Sequence, residues 1–412
     1  MANPLLRVRP AGSFIKGPLP PGCAMCEKGM KMVLFVTGVC HYKCFYCPIS
    51  EERRFGAAAG KKGVPSPVWA NEKQLAADDL AGIAAEARAI NARGTGLTGG
   101  DPMYDPERTL RYIRFLKQEF GPKHHIHMYT QIPFDAKWLR PLAEAGLDEM
   151  RFHPPDETWV NPDAPENAHY KHLWLEAKKL EEEGLWKVGF EIPCIPGSVE
   201  QMSALVAWLA KHGFGFINVN EMEFSETNYA QLLARGYRIK DDITMRVMDS
   251  QAVAEEVIGR FKDAPISIHF CSSPFKDAIQ LRQRLARRAA NTKKAYEEAT
   301  DDGTLLRGVI ECPDPAALLA ELHRGYGVPL EQMEAAGGQL RMAPAALEAV
   351  AKDLPYPAYV SEIYPTSTEL EVERRPLNAF RAKGAVAPRA QPLVLAAQDG
   401  GLDRRVGRPG GL

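Results

Sequence analysis

The chain reads as an α/β protein built on a parallel sheet, and three observations predict it. Six segments of strand length, 33–37, 94–98, 125–130, 148–152, 186–192 and 216–222, recur along the first 225 residues. Helical periodicity separates each from the next. Gly121, Gly146, Gly184 and Gly213 close several of those helices as C-terminal stop signals. Such alternation implies parallel strands joined by right-handed crossovers, in an open doubly wound sheet or in a full or partial barrel. In either case the loops leaving the strand carboxyl ends share one face, where ligands bind.

Taken in order, residues 1–28 are rich in Pro and Gly and read as an extended arm carrying Cys23 and Cys26. The core follows over 29–292. Its clearest helix starts at Asn71, an N-cap residue with Gln74 three positions on, and carries Ala76, Leu80, Ile83, Ala87 and Ile90 on one face. Further helices are expected over 107–119, 135–145, 170–183 and 199–212. Beyond Ser225 come a helix near 245–261, a strand at 266–270 and an Arg-rich helix over 275–291. Residues 293–382 read as a small α+β extension, with strand-like stretches 303–312 and 358–373 around two helices. The composition from 383 to 412 is that of a disordered tail.

Composition narrows the function classes. With 412 residues, 45% apolar and 25% charged, the chain is neither fibrous nor wholly disordered. Lys+Arg 51 against Asp+Glu 52 leaves a net charge of −1, which gives the molecule as a whole no electrostatic reason to seek nucleic acid or an anionic membrane. No run approaches the roughly 18 apolar residues of a membrane-spanning helix, and Arg and Pro interrupt the N-terminus before a signal-peptide stretch forms. A soluble cytoplasmic protein is the expectation. Eight cysteines are too sparse for a disulfide scaffold, and five of them crowd between Cys23 and Cys47. In a reducing compartment such crowding favours metal binding.

The sequence CHYKCFYCP at 40–48 sets Cys40, Cys44 and Cys47 on the loop directly after the first strand. Thiolates so closely spaced can face one iron–sulfur cluster or a zinc ion. Three ligands leave one metal vertex open, whereas a closed structural site wants four. The second strand ends in Thr98, Gly99, Gly100, Asp101 and Pro102. Two glycines let a backbone edge approach a small ligand and present carbonyls to an ammonium group. The C-x3-C-x2-C run with Tyr46 before its last Cys, and the Gly-Gly-Asp-Pro run, together resemble the radical S-adenosylmethionine (SAM) superfamily. Asp101 stands where that family's motif has Glu. The stretches CAMCEKGMKMVLFVTGVCHYKCFYCP, GLTGGDP, AGLDEMRFHPP and EIPCIPG resemble, more narrowly, a group described as related to pyruvate formate-lyase activating enzymes.

The resemblance covers about residues 30–225. It implies a partial (β/α)6 TIM-like barrel of the radical SAM type, here with the α+β extension behind it. It further implies that Cys40, Cys44 and Cys47 hold a [4Fe-4S] cluster whose fourth iron chelates SAM. Gly99, Gly100, Asp101 and Pro102 then line the methionyl amino group, and the backbone near Tyr46 approaches the adenine. The implied activity is reductive cleavage of SAM to a 5′-deoxyadenosyl radical that abstracts hydrogen from an unidentified small-molecule or peptide substrate. An electron donor such as flavodoxin or ferredoxin is implied, as is oxygen sensitivity. Glycyl-radical activation and tRNA or peptide modification are subtypes; the near-neutral charge argues against tRNA. The competing class is a non-catalytic iron–sulfur electron carrier or scaffold, which has no use for an open iron beside a glycine edge.

Weaker constellations remain. Cys23 and Cys26, with His269 and Cys271 far downstream, have the makings of a second site, an auxiliary iron–sulfur cluster or a Cys3His zinc site, with Cys312 a rival ligand. Cys194 reads as a small buried side chain. His125, His127 and Tyr129 alternate on one strand face. Arg151, His153, Glu191, Asn220 and Glu221 lie at or near strand ends and are candidates for recognising a polar substrate or the SAM carboxylate and ribose, subject to register. Arg282, Arg284, Arg287, Arg288, Lys293 and Lys294 read as a solvated helix face rather than a polyanion site.

Overall fold

The structure is a computed structural model that describes residues 6–55, 66–241 and 243–378. The expected tail over 383–412 lies outside the described residues. The chain divides into two compact units, the first made of described residues 6–88 and 92–281, the second of 282–378 with 89–91.

The first unit begins with β1 (Leu6–Val8) and β2 (Phe14–Lys16), an antiparallel hairpin, and α1 (Pro21–Glu27). The segment expected to be an extended arm is therefore folded. β3 (Lys31–Thr37) follows, then the cysteine loop, α2 (Glu51–Phe55), β4 (Val68–Ala70), β5 (Lys73–Leu75) and α3 (Leu80–Ala89). Strand and helix then alternate as expected: β6 (Gly94–Gly99), α4 (Pro106–Phe120), β7 (His125–Thr130), α5 (Leu139–Glu144), β8 (Glu149–Phe152), α6 (Ala168–Glu182), β9 (Lys187–Cys194), α7 (Val199–Lys211) and β10 (Phe216–Glu221). The unit closes with α8 (Tyr229–Ala234), α9 (Ser250–Arg260), β11 (Ser267–Cys271), α10 (Ser273–Phe275) and a π-helical turn at Lys276–Leu281.

β3, β6, β7, β8, β9, β10 and β11 pair in parallel in that order, with the β1–β2 hairpin added at one margin and β4–β5 at the other. The six expected strands are all present, and β11 continues the series. All four glycine stops lie at positive φ, between 72° and 106°, where a side chain is strained. Among the described residues the strand order does not close on itself, as in a partial barrel, and α1 packs against β3, β6 and β7.

The helix expected from Asn71 begins only at Leu80. Asn71 instead adopts φ +50° in the β4–β5 turn, and its Oδ1 accepts the Val33 N–H at 3.1 Å. Asn tolerates the left-handed region, so a residue read as a helix cap serves as a hairpin turn. The cap falls to Asp79, whose Oδ1 accepts the Gly82 N–H at 2.7 Å.

The second unit holds α11 (Arg282–Thr292), β12 (Glu298–Ala299), β13 (Leu305–Glu311), α12 (Pro315–Tyr326), β14 (Met333–Ala336), β15 (Gln339–Met342), α13 (Pro344–Val350), β16 (Ala358–Ile363) and β17 (Glu371–Pro376). Its antiparallel sheet runs β14-β15-β13-β16-β17. Ile310, Leu322, Leu340, Met342 and Leu347 form its core. Two helices and the strand-like stretches lie within the expected extension, but the unit begins at Arg282 rather than 293 and takes in α11, which was placed in the core; the β14–β15 hairpin, turning on Gly337 and Gly338 at positive φ, was not expected.

Buried histidines are expected to make the first unit less stable in acid. His124 Nε2 pairs with Thr95 Oγ1 at 2.8 Å, and burial pushes its pKa down to about 4. Burial likewise lowers His125, beside Lys31, to about 3. The folded value lies below the unfolded one near 6.5, so stability is complete above that pH and falls as the pH drops toward 4. For His124 alone the loss is about 3 kcal/mol. Calorimetric melts from pH 7.5 to 4.5 are expected to show a falling midpoint, with a shallower slope in His124→Gln; equal slopes would refute this assignment.

Candidate functional site

The cysteine loop leaves the carboxyl end of β3 and is held by backbone first. Thr37 O accepts the Gly100 N–H at 2.8 Å and Val39 O accepts the Asp101 N–H at 2.9 Å. A Cβ on Gly99 would stand 2.2 Å from Thr37 O, and one on Gly100 2.2 Å from Val39 O. The close approach that the two glycines allow is thus used by the start of the cysteine loop. Asp101 is buried, and its carboxylate accepts the N–H groups of Met103 (2.9 Å), Gln131 (2.6 Å) and Ile132 (3.0 Å) and the Thr130 hydroxyl (2.9 Å). It braces the end of β6 to the end of β7. Burial raises its pKa against the pull of those donors. Pro102 is buried behind it.

Cys40, Cys44 and Cys47 are half-buried free thiols. Burial pushes Cys40 up to about 11 and raises Cys44. Cys44 Sγ donates to Gln131 Oε1 at 3.2 Å. The same amide turned over presents an N–H to a thiolate, so the surroundings accommodate both forms. Cysteines bind metal as thiolates, and three of them within eight positions of one loop have the spacing of iron–sulfur ligands.

Three other elements grip this loop. Asn228 Nδ2 donates to Tyr46 O at 3.1 Å, and Thr227 Oγ1 to Cys47 O at 3.2 Å. The Tyr42 hydroxyl pairs with that of Tyr170 on α6. The Tyr46 hydroxyl meets His153 Nε2 at 3.1 Å, while His153 Nδ1 donates to Glu191 O at 2.7 Å. That donation fixes the tautomer, so Nε2 accepts from Tyr46. Burial keeps His153 below its ordinary pKa and hence neutral.

Beneath the loop the barrel interior is ionic. Arg151, 2% exposed, pairs with Glu149 and with Glu191 at 2.7 Å, and also donates to Tyr129 Oη (3.2 Å) and Cys23 Sγ (3.4 Å). Glu191 accepts further bonds from Asn218 (3.0 Å) and Asn220 (2.9 Å). Burial opposes its charge, but Arg151 and the two amides hold it below the usual carboxylate pKa. Gly22 of α1 donates its N–H to Glu149 at 3.3 Å, and a Cβ there would stand 2.6 Å from His127 Nδ1. Lys31 donates to His125 O at 2.7 Å, and burial brings its pKa down to about 7.

Of the substrate candidates, Arg151, His153, Glu191 and Asn220 are brought together, bonded largely to one another. Glu221, one residue on, faces the other way and accepts the Ser273 N–H at 2.9 Å. Among the described residues no three His, Cys, Asp or Glu side chains gather for one metal ion, which holds for Cys40, Cys44 and Cys47 as it does for Cys23, Cys26, His269 and Cys271. Cys23 is buried on a helix, with its thiol donating to Asn218 Oδ1 at 3.6 Å, and Cys312 belongs to the core of the second unit. Cys194 is fully buried, as expected. Gln131, Tyr170, Thr227 and Asn228 were not singled out in the sequence. Their positions after strand ends were the available signal for Gln131, Thr227 and Asn228, but contacts spanning 87 to 182 positions carry no periodicity.

A family model described as the Radical SAM superfamily matches residues 34–209, and a domain of unknown function (DUF8061) matches 303–377. A Methanocaldococcus jannaschii protein named "Putative glycyl-radical enzyme activating enzyme" is 36% identical over 378 residues, covering 89% of this chain and 94% of that protein. Solved structures similar to the chain include Streptococcus suis SuiB bound to S-adenosylmethionine, at 15% identity and TM-score 0.39 over 59% of this chain and 50% of that one. Methylornithine synthase is similar at 13% identity and TM-score 0.35, over 59% of this chain and 71% of that one. With three cysteines at the end of its first parallel strand, a family match across the strands that follow, and a relative aligned over nearly its whole length, the chain belongs to the radical SAM superfamily.

Proposed function

We propose that the chain reductively cleaves SAM and turns the resulting 5′-deoxyadenosyl radical on a hydrogen atom of its substrate, with Cys40, Cys44 and Cys47 as ligands of a [4Fe-4S] cluster. Membership of the superfamily makes the chain an enzyme that works with SAM and an iron–sulfur cluster. The observation that carries the finer reading is the junction of the cysteine loop with the Gly100–Asp101 edge through two backbone hydrogen bonds. When bound, the cluster supplies the electron that splits the sulfonium into methionine and the radical. The chain's own residues bind and orient. Cys40, Cys44 and Cys47 would hold the cluster as thiolates, and the carbonyls of Gly99 and Gly100 would face the ammonium group of SAM, those of Asp101 and Pro102 being taken by Tyr104, Asp105 and Thr109. Asp101 keeps that edge in register with β7. His153 and Asn228 hold Tyr46, whose backbone faces the adenine in this reading.

The name of the Methanocaldococcus jannaschii relative supports a protein as the substrate class and a one-electron reductant such as flavodoxin or ferredoxin as partner. Anaerobically reconstituted protein given dithionite and SAM is expected to yield 5′-deoxyadenosine, and Cys40→Ala/Cys44→Ala/Cys47→Ala to yield none above background. Failure to bind SAM at full iron content would overturn the reading.

A further inference from the structure

After β11 the chain passes through α10 into the π-helical turn Lys276–Leu281. Such turns are rare and are frequently found at functional sites. This one carries two side chains back toward the carboxyl end of β11. Gln280 Nε2 donates to Cys271 Sγ at 3.7 Å, and Cys271 lies beside Asn220 in the parallel register, on the face that bears the ionic interior. Lys276, four residues before Gln280, is held protonated against burial by the carboxylates of Glu223, Asp277 and Glu191.

The two cations differ in how they are bonded. Arg151 has all three nitrogens engaged, by Glu149, Tyr129, Glu191 and Cys23. Lys276 Nζ stands 3.8 Å from Glu223 Oε1, beyond hydrogen-bond distance, and donates to no described residue, with its side chain 32% exposed. Glu223 is itself held elsewhere: the Ser273 hydroxyl donates to its other carboxylate oxygen, and its carbonyl accepts from Asn228, the amide that also grips Tyr46. A partly buried ammonium with three donors and one long ion pair is placed to take an incoming acceptor.

We propose that Lys276 binds a carboxylate of the substrate at the barrel mouth, with Glu223 as its counter-ion when substrate is absent. The proposal rests on the reading of this mouth as the substrate entrance of a SAM-cleaving enzyme. Calorimetry on the reconstituted full chain, with and without SAM, tests it using glutarate, N-acetyl-Gly-Glu-Gly-amide and neutral glutaramide. At least one acid is expected to bind where glutaramide does not; tighter binding of the peptide assigns the carboxylate to an acidic side chain, tighter glutarate to a free acid. Lys276→Met is expected to weaken that binding roughly tenfold or more, and Lys276→Arg to keep it within about threefold. Glu223→Gln, which removes the competing carboxylate, is expected to tighten it, a change that a merely structural role would not produce. SAM affinity should be the same in all four proteins. Equal binding by wild type and Lys276→Met, no tightening in Glu223→Gln, or no acid binding above the amide control would each overturn the proposal. If SAM fails to bind the wild type, the enzymatic reading falls, while the titrations without SAM still report on Lys276.

Discussion

Replacing Arg151 with Met is expected to lower stability by about 3–5 kcal/mol, because it leaves two carboxylates in the barrel interior without their cation. Glu149 is fully buried, and Arg151 is the group that neutralises it. Glu191 keeps its two Asn donors but loses the 2.7 Å ion pair. The volume change is small, so the loss is electrostatic and shows how it can be reversed. Glu149→Gln/Arg151→Met/Glu191→Gln removes charge from all three positions and is expected to recover a large part of the melting temperature. Chemical denaturation of the single and triple variants decides the matter: a single variant within about 1 kcal/mol of wild type, or a triple variant no better than the single, would sink this account of the network. Because Gly22 and Cys23 of α1 bond into the same cluster, the single variant is also expected to loosen the N-terminal helix, visible as faster amide exchange over 21–27.

Gly100→Ala is expected to cost the enzyme its cluster rather than its fold. The added methyl would lie 2.2 Å from Val39 O and 2.4 Å from Val39 C, both backbone atoms, so the start of the cysteine loop has to move. Cys40 is the next residue. In the proposed site a shifted Cys40 would no longer share a cluster with Cys44 and Cys47, so iron content after reconstitution should fall, with an affinity loss of roughly 10- to 100-fold as when supports of metal ligands are removed. Production of 5′-deoxyadenosine should fall with it. Gly215→Ala is the control, since a Cβ there meets nothing within 4 Å and the backbone is not at positive φ. Wild-type iron content in Gly100→Ala would show that the loop yields without harm and that the glycine has another purpose.

What was legible in the sequence were features written in neighbouring residues. The strand and helix alternation, the four glycine stops and the C-x3-C-x2-C run each occupy a short window, and each is a local feature: a period of two or 3.6, a positive φ, three thiols within eight positions. They determined the parallel α/β core, the approximate strand limits and the position of the candidate cluster loop. Only the tertiary structure decided what the side chains around that loop do. Asn71 has the chemistry of a helix cap and of a hairpin turn, and the choice was made by Val33 on a neighbouring strand. Cys23 and Cys26 have metal-ligand spacing, yet α1 lies against the barrel strands and Cys23 bonds to Asn218. Asn220 and Glu221 are adjacent, and the register sent one toward Glu191 and the other toward Ser273. Gln131 and Asn228 reach the cysteine loop across 87 and 182 positions. The physical reason is the same in each case: a polar side chain takes whichever partner the fold delivers to within about 3 Å, and a one-residue change of register exchanges every such partner.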